Sequence, residues 1–301
     1  MTKTDLAIPL ALGAAFFVAV GDVIRQRSAQ EMPGGQVGGL RLLLQLLRDR
    51  RWWLGSLVAV AGFGLQAAAL AFGSVLLVSA LLVTSLLFAL PLGAHYAGRP
   101  VSRAQWVWAA LLATAVAVIV TVGNPAAGRS RAEWEQWAAV AAVLGPVLLL
   151  CTVAARAWAG RPAAPVLLGA VSGSLWGVFA VLTKGVVDRI GLGAGAVLVM
   201  PEFYAWAAVA VTATAWQQSA FRAGSIAASL PAMAVSEPIV ASVLGIVVLG
   251  ESMRPSQDGW LALVAAVALT VVAVAALARS SAAPAGCAGG QLPDGPAPAR
   301  R

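Results

Sequence analysis

The residue that could do chemistry most directly is Glu237, an acidic side chain inside an apolar segment. It lies near the middle of the stretch 226–249, and Pro238 follows it. A charge at the bilayer centre costs about 2.5–3.5 kcal/mol on insertion scales, so intramembrane acids often mark transport pathways. Pro238 lacks a backbone N–H and frees a carbonyl one turn earlier, which makes it a candidate hinge. Two interpretations stay open: a protonatable, substrate-facing carboxylate, or a neutral acid that only hydrogen-bonds the interrupted helix.

Other polar side chains also fall at membrane depth. The glutamines at 66, 217 and 218 either line a polar cavity or hydrogen-bond neighbouring helices. Hydroxyls at 84, 85 and 236 either face a central site or bond their own helix backbone. The predicted substrate-binding residues are Gln66, Thr84, Ser85, Gln218, Ser236 and Glu237, with Pro238 as the hinge.

The chain lacks the residue patterns of an enzyme or a metalloprotein. It has one histidine, His95, and two cysteines, which provide neither paired metal ligands nor a disulfide framework. No nucleophile–base pair is recognisable. Asp22 with Arg25, and Lys184 with Asp188, are spaced to form ion pairs within their own helices. We therefore predict that the protein is not an enzyme, with no catalytic residue, no metal site and no cofactor.

The elements that must position these residues follow from composition. Of 301 residues, 60% are hydrophobic and 11% are charged, and the mean hydropathy is +0.86. A soluble domain is roughly a quarter charged, so a water-soluble globule is excluded and a polytopic membrane protein is indicated. The formal net charge of +8 is explained by arginines in cytoplasmic loops, and no nucleic-acid partner is predicted.

Apolar runs of spanning length, about 17–25 residues, predict an all-α fold. Nine are clear: 6–24, 53–72, 75–97, 106–122, 137–153, 165–183, 204–221, 226–249 and 260–278. Residues 38–47, with Arg41 among leucines, are either an interfacial helix or a short tenth span. Residues 280–301 are rich in Ala, Pro and Gly and are predicted to form a disordered tail.

Loop charges predict the sidedness. Loops on one side carry most of the 20 basic residues, namely Arg48, Arg50, Arg51, Arg99, Arg103, Arg156, Arg161, Arg222, Arg279, Arg300 and Arg301. The positive-inside rule places that side, with the C-terminus and its tail, in the cytoplasm. The N-terminus is then cytoplasmic with ten spans and outside with nine. A multi-pass protein of a bacterial inner membrane is expected.

The two halves of the chain resemble one another. Residues 66–73, QAAALAFG, match residues 217–224, QQSAFRAG, and each leads through a serine into a long apolar segment. Those segments end in AGRPVS and LGESMRPS, and a further span then opens with Trp106 in one copy and Trp260 in the other. The copies lie five spans apart, an odd number, so they should face opposite ways across the bilayer. Inverted repeats are typical of secondary transporters.

Residues within this repeat carry a family resemblance. The stretch VSEPIVASVLGIVVLGES, 235–252, resembles the second-half signature of EamA-type permeases of the drug/metabolite transporter superfamily. In the first copy Arg99 stands where the signature has its terminal glutamate. A second resemblance is to NIPA-type magnesium transporters of the same superfamily, through residues 52–55, 71–73 and 173–175 with Lys184. Phe63 replaces the NIPA glutamate that would suit a hard cation.

These resemblances imply two inverted five-helix repeats, residues 1–127 and 128–279, with residues 38–47 as a short second helix. They also imply alternating-access transport of a small organic solute across the plasma membrane, with proton coupling as an option. Magnesium transport and a non-transporting membrane scaffold are the alternatives. The expected partners are the solute and the bilayer, and a homodimer is left open.

Overall fold

The computed structural model describes residues 3–31, 47–96, 100–161, 163–190, 192–223, 226–256 and 259–282. Almost all of these residues are helical. Seven helical segments within them are long and apolar enough to cross a membrane. The all-α membrane class predicted from composition is therefore supported, because lipid favours segments whose backbone groups are bonded internally.

The described residues of the first half form five helices, and local signals start several of them. The helices are α1 (Lys3–Glu31), α2 (Arg50–Phe72), α3 (Val75–Leu82), α4 (Ser85–Tyr96) and α5 (Arg103–Gly123). The Asp49 side chain caps α2 by accepting from Arg51 N at 2.9 Å. Ser102 and Gln105 form a capping box at α5, in which each side chain bonds the other's backbone N–H.

Six further helices lie in the part of the second half that the structure describes. They are α6 (Trp134–Ala157), α7 (Ala163–Ile190), the short α8 (Ala194–Leu198), α9 (Pro201–Ala223), α10 (Ile226–Val247) and α11 (Gly259–Ala282). Two short strands, β1 (Pro125–Ala126) and β2 (Ser252–Met253), pair antiparallel. They join the loop that follows α5 to the loop that precedes α11.

Small residues set how closely the main helices approach. A Cβ added at Gly21 of α1 would lie 2.9 Å from Gly55 O of α2. Gly169, Gly173 and Gly177 form one stripe of α7 against α10, and a Cβ at Gly177 would lie 2.7 Å from Glu237 O. Backbone-to-backbone contact of this kind is typical of membrane helices, where small residues let dispersion contacts form.

The apolar segment 75–97, expected to be one helix, is broken. It forms α3 and α4, and the turn at Val83–Thr84 separates them. The Thr84 hydroxyl donates to Leu81 O at 2.6 Å, and Thr84 N approaches the same carbonyl at 3.0 Å. A hydroxyl that competes for a backbone carbonyl in this way favours a local departure from the α-helix.

The ends of α1 and α2 bear on the number of spans. Gly55, near the start of α2, packs on Ile24 and Arg25, and Gly73, just past its end, packs on Ala7. The two helices are therefore antiparallel neighbours, and the C-terminal part of α1 lies at the end of the bundle where α2 begins. This is the arrangement expected for nine spans. The ten-helix count is not confirmed, and its extra helix at 38–47 lies outside the described residues except for Leu47.

The last helix extends past the predicted start of the tail. Helix α11 continues to Ala282, past the boundary at residue 280, and residues 283–301 lie outside the described part of the chain.

The glycine stripe gives a stability prediction. Gly177→Val should lower the free energy of unfolding by about 1–3 kcal/mol, because the side chain would meet the α10 backbone. Thermal unfolding in detergent measures the effect. Gly64→Val on α2 is the matched control, since nothing lies within 4 Å of a Cβ added there. Equal stability of the two variants would contradict close packing of α7 on α10.

The arrangement of α1 and α2 gives a topology prediction. Thiols introduced before residue 3 and after residue 282 should react with an impermeant reagent from opposite sides of the membrane. This outcome follows from nine crossings. If both termini were labelled from the same side, the chain would have to cross the membrane an even number of times.

Candidate functional site: a central cavity and a buried clamp

A cavity lies in the centre of the bundle, enclosed by α1, α2, α3, α4, α7, α9 and α10. About 100 Å³ of it is open to the centres of water-sized molecules. A single buried water needs roughly 10–15 Å³ on this measure, so the cavity can take several waters or one small solute. Its lining is largely apolar, with a few polar side chains that converge from both halves.

Part of the predicted site is assembled here. Gln66 of α2, Ser85 of α4, and Glu237 and Pro238 of α10 all line the cavity. Glu237 is only partly buried, because its side chain faces this space. Helix α10 runs without interruption through Pro238, so the hinge stays a prediction.

Three other predicted residues lie outside the cavity lining. Thr84 is buried and its hydroxyl bonds Leu81 O. Ser236 donates to Met233 O at 3.3 Å and lies against Gly173 of α7. Gln218 is fully buried, and both polar atoms of its side chain lack a hydrogen-bond partner among the described residues.

Several lining residues were not among those predicted to bind substrate. Gln217 takes the place expected of Gln218; it is 3% exposed, and its Oε1 has no partner in the described structure. Asp22 and Arg25, expected as a structural pair, do form a salt bridge, and both also line the cavity. Arg25 Nε finds no hydrogen-bond acceptor in the part described.

An aromatic wall completes the lining. The rings of Phe63 and Trp176 stack at 4.8 Å between centroids with an interplanar angle of 20°. The cavity therefore presents one flat apolar surface together with the Asp22–Arg25 pair, two glutamines and Glu237. Such a site can hold a small solute with an apolar body and hydrogen-bonding groups. No group of three or more His, Cys, Asp or Glu residues that could hold a metal is found in the described ranges.

A second polar cluster lies near one end of the bundle, and we call it the clamp. It consists of Lys184 of α7, Glu251 after α10, and the turn between α2 and α3, represented by Gly73, Val75 and Leu76. The Glu251 carboxylate accepts from Val75 N at 2.7 Å and from Leu76 N at 2.9 Å. Lys184 Nζ lies 3.4 Å from Glu251 Oε1 and donates to Gly73 O at 2.7 Å.

The clamp satisfies the backbone groups that a tight helix–helix turn leaves without partners. The first N–H groups of a helix and the last C=O groups have no intrahelical partner. Here Glu251 takes two N–H groups of α3, the Ser74 hydroxyl takes Leu77 N at 3.1 Å, and Lys184 takes the carbonyl that follows α2. The side chains of Lys184 and Glu251 are 8% and 0% exposed, so the charges depend on one another.

The sequence pointed to only part of the clamp. Lys184 was expected to pair with Asp188 one turn away, but its ion-pair partner is Glu251, 67 residues later in the chain. Glu251 did stand in the motif that carries the family resemblance. An acid directly at the end of an apolar helix is the signal that indicates a buried partner.

The cavity and the clamp lie at different depths. We call the end where α3 begins and α10 ends the clamp end. Between the clamp and the cavity stands an apolar plug of side chains that are at most 7% exposed: Val75, Leu76, Leu77, Val78, Ala241, Leu244, Val248 and Leu249. Arg25 packs on Gly55 near the start of α2, so the lining reaches toward the opposite end. The clamp end is therefore the more tightly closed of the two.

Comparison with known proteins gives one full-length relative. The chain is 36% identical over 293 residues to an uncharacterized protein of Corynebacterium glutamicum, and the alignment covers 95% of this chain and 99% of that protein. No family model matches the chain. No solved structure matches it.

The clamp gives a thermodynamic prediction. Glu251→Gln and Lys184→Met should each lower the free energy of unfolding by about 3–5 kcal/mol, since each leaves a buried charge without its partner. The double variant should lose less than the sum of the two. Thermal or denaturant unfolding in detergent measures this double-mutant cycle.

The exposed pair Arg129–Glu133, 3.6 Å apart, supplies the control. Glu133→Gln should change stability by less than about 1 kcal/mol. Additive losses at Lys184 and Glu251 would show that the two side chains stabilise the fold independently.

Proposed function

Because the chain belongs to the same family as the uncharacterized Corynebacterium glutamicum protein, we propose one role for both: a membrane transporter that moves a small organic solute by alternating access through the central cavity. The observation that carries the proposal is the lining itself. Gln66 and Gln217 stand at matching positions of the two sequence copies, and both line the cavity beside Glu237. A site shared by two repeated halves is the arrangement found in secondary transporters.

The directions of corresponding helices support an inverted repeat. In the sequence alignment, segment 75–96 corresponds to α10, and α5 corresponds to α11. The start of α3 lies at the end of α10, since Val75 N bonds Glu251 and Val75 lies 3.7 Å from a Cβ built on Gly245. The end of α5 lies at the start of α11, where Gly123 packs on Leu263. Both corresponding pairs are antiparallel, as an inverted repeat requires.

Glu237 supplies the proposed coupling. A carboxylate in a mostly apolar cavity is stabilised either by a proton or by a donor group on the solute. Asp22 is already paired with Arg25. Glu237 is therefore the acid in the cavity lining that is available to bind a proton or the solute. We assign it the role of exchanging a proton for the solute, with Gln66 and Gln217 as hydrogen-bonding groups and Trp176 as an apolar surface.

Sidedness completes the proposal. The loops at the clamp end contain Arg129, Arg131, Arg189 and Arg254 together with acidic residues, whereas the opposite end has the larger excess of arginine. By the positive-inside rule, the opposite end and the C-terminus lie in the cytoplasm of a bacterial plasma membrane. The cavity would then be closed on its outer side in this structure.

A binding screen tests the proposal. The purified protein in detergent is heated with a panel of amino acids, amines, nucleosides and sugars, and separately with magnesium chloride. A solute present at a hundred times its Kd should stabilise the wild type by about 2.7 kcal/mol. Solutes that stabilise it are then measured for uptake into proteoliposomes under an imposed pH gradient.

Glu237→Gln should abolish that uptake while the variant stays folded and inserted. Glu135→Gln makes the same chemical change on the exposed first turn of α6 and should leave uptake intact. Wild-type flux from Glu237→Gln would remove Glu237 from the mechanism. Flux of magnesium alone would favour a magnesium transporter, and binding of nothing in the panel would favour a membrane scaffold.

A further inference from the structure

We propose that the Lys184–Glu251 clamp is the gate that closes one end of the transport pathway, and that the two-turn helix α3 is its moving part. The inference rests on the proposed transport function and names the contacts that must break when access alternates. It is argued from the clamp, the plug and the break after α3.

The clamp ties together parts that belong to different halves of the chain. Glu251 and Lys184 come from the second half, and the backbone groups that they bind come from the turn between α2 and α3 in the first. Separating that turn from α7 and α10 requires all of these bonds to break together. A buried pair of opposite charges is suited to a two-state contact, because each charge is costly when its partner leaves.

Other contacts at the same end hold different elements. The strands β1 and β2 pair, Arg129 N donates to Leu249 O at 2.7 Å, and Arg254 N donates to Gly123 O at 3.0 Å. These bonds hold the end of α5 and the loop before α6 to the loop between α10 and α11. The α5–α6 loop and the α10–α11 loop can therefore stay together while the α2–α3 turn moves away from them.

Helix α3 connects the clamp to the cavity. Its first residues, Val75 and Leu76, are bound by Glu251, whereas Ser79 and Leu82 line the cavity. Val75 and Ser79 are one turn apart, about 6 Å along the helix axis. The same helix contributes Val75, Leu76, Leu77 and Val78 to the plug. A shift of α3 would open the plug and reshape the cavity wall at once.

The break after α3 allows this motion. Val83 and Thr84 interrupt the helix, and α4 continues beyond them. Leu86 N and Leu87 N bond Val83 O and Thr84 O, three residues back, so the joint lacks regular α-helical bonds. Helix α3 is thus held at one end by the clamp and at the other by a turn. Hinges in conformational transitions are usually a few residues at the ends of helices or in loops, and Val83–Thr84 is a joint of this kind.

Thiol accessibility tests the gate without a known solute. In a background carrying Cys151→Ser and Cys287→Ser, the cavity-lining Ser85→Cys is the reporter. An impermeant methanethiosulfonate is added to right-side-out or inverted vesicles, and the labelling rate is measured from each side. With the clamp intact, labelling from the clamp end should be slow. Glu251→Gln should raise that rate about tenfold or more, because the closed state loses a buried charge pair.

Two further variants keep the result decisive. Lys184→Met should have the same effect and replaces Glu251→Gln if that variant does not fold. Glu133→Gln removes an exposed acid from the same end and should leave the rate unchanged. An unchanged clamp-end rate in a folded clamp variant would overturn the gate.

A crosslink distinguishes a gate from a purely structural anchor. A Cβ built on Gly245 lies 3.7 Å from Val75 Cβ, within the Cβ–Cβ range of disulfides, about 3.5–4.5 Å. In the cysteine-free background without the reporter, oxidised Val75→Cys/Gly245→Cys should stop flux of solutes from the panel, and reduction should restore it. Gly245→Cys alone is the control, because its Cβ would lie 2.9 Å from Glu251 Oε2. Undiminished flux through the crosslinked protein would show that the clamp is only an anchor.

The failures of gate and transporter are separable. If the wild type moves no solute but Glu251→Gln opens the clamp end to the thiol reagent, the clamp still controls access to the cavity and only the transport proposal fails. If solutes are moved while clamp variants label like the parent, transport stands and the gate fails.

Discussion

Burial of charge without water is the constraint on which this structure depends. In an apolar bundle, an unpartnered carboxylate or ammonium is costly, and so is an unpartnered backbone group at a helix end. The turn between α2 and α3, Gly73–Ser74, is buried and leaves several such groups without partners inside their own helices. Glu251 and Lys184 resolve both problems together, since the carboxylate binds the N–H groups of α3 and the ammonium binds Gly73 O. At this point the two halves are joined, because the buried charges of one half bind the buried backbone groups of the other.

Close packing on glycine determines where space remains for a site. Helix α7 approaches α10 so tightly that a Cβ at Gly177 would meet Glu237 O. This contact fixes the height and rotation of α10 and therefore the position of the Glu237 side chain. On the neighbouring face, the rings of Phe63 and Trp176 hold the helices apart. The cavity lies between the close glycine contact of α7 with α10 and the wider aromatic contact of α2 with α7.

The two similar sequence segments differ in a physically consistent way. The first copy breaks into α3 and α4 at Thr84, whereas α10 of the second copy is continuous even at Pro238. Thr84 offers a hydroxyl to the backbone, and Val235 at the matching position cannot. At the far ends of these segments, Glu251 suits the N-terminus of α3, where a negative charge is favourable, and Arg99 in the first copy does not. The sequence therefore does not repeat the acidic member of the clamp in the first segment.

Several features could be predicted from the sequence, because they depend on local composition. The membrane class and most spans follow from long apolar runs, and Gln66 and Glu237 stand out because polar side chains are costly in lipid. Neighbouring candidates could not be separated. Successive helix residues point about 100° apart, so Gln217 lines the cavity while Gln218 is packed in the bundle, and Glu237 lines it while Ser236 faces α7.

The sequence by itself determined which segments belong in the membrane and which polar residues need a partner there. Only the tertiary structure decided who the partners are: Glu251 rather than Asp188 for Lys184, and the α2–α3 turn for Glu251. It also placed the end of α1 beside the start of α2. The physical reason is that the cost of burying a group belongs to the residue itself. Whether that group finds a hydrogen-bond or ion-pair partner depends on how distant helices are rotated and packed.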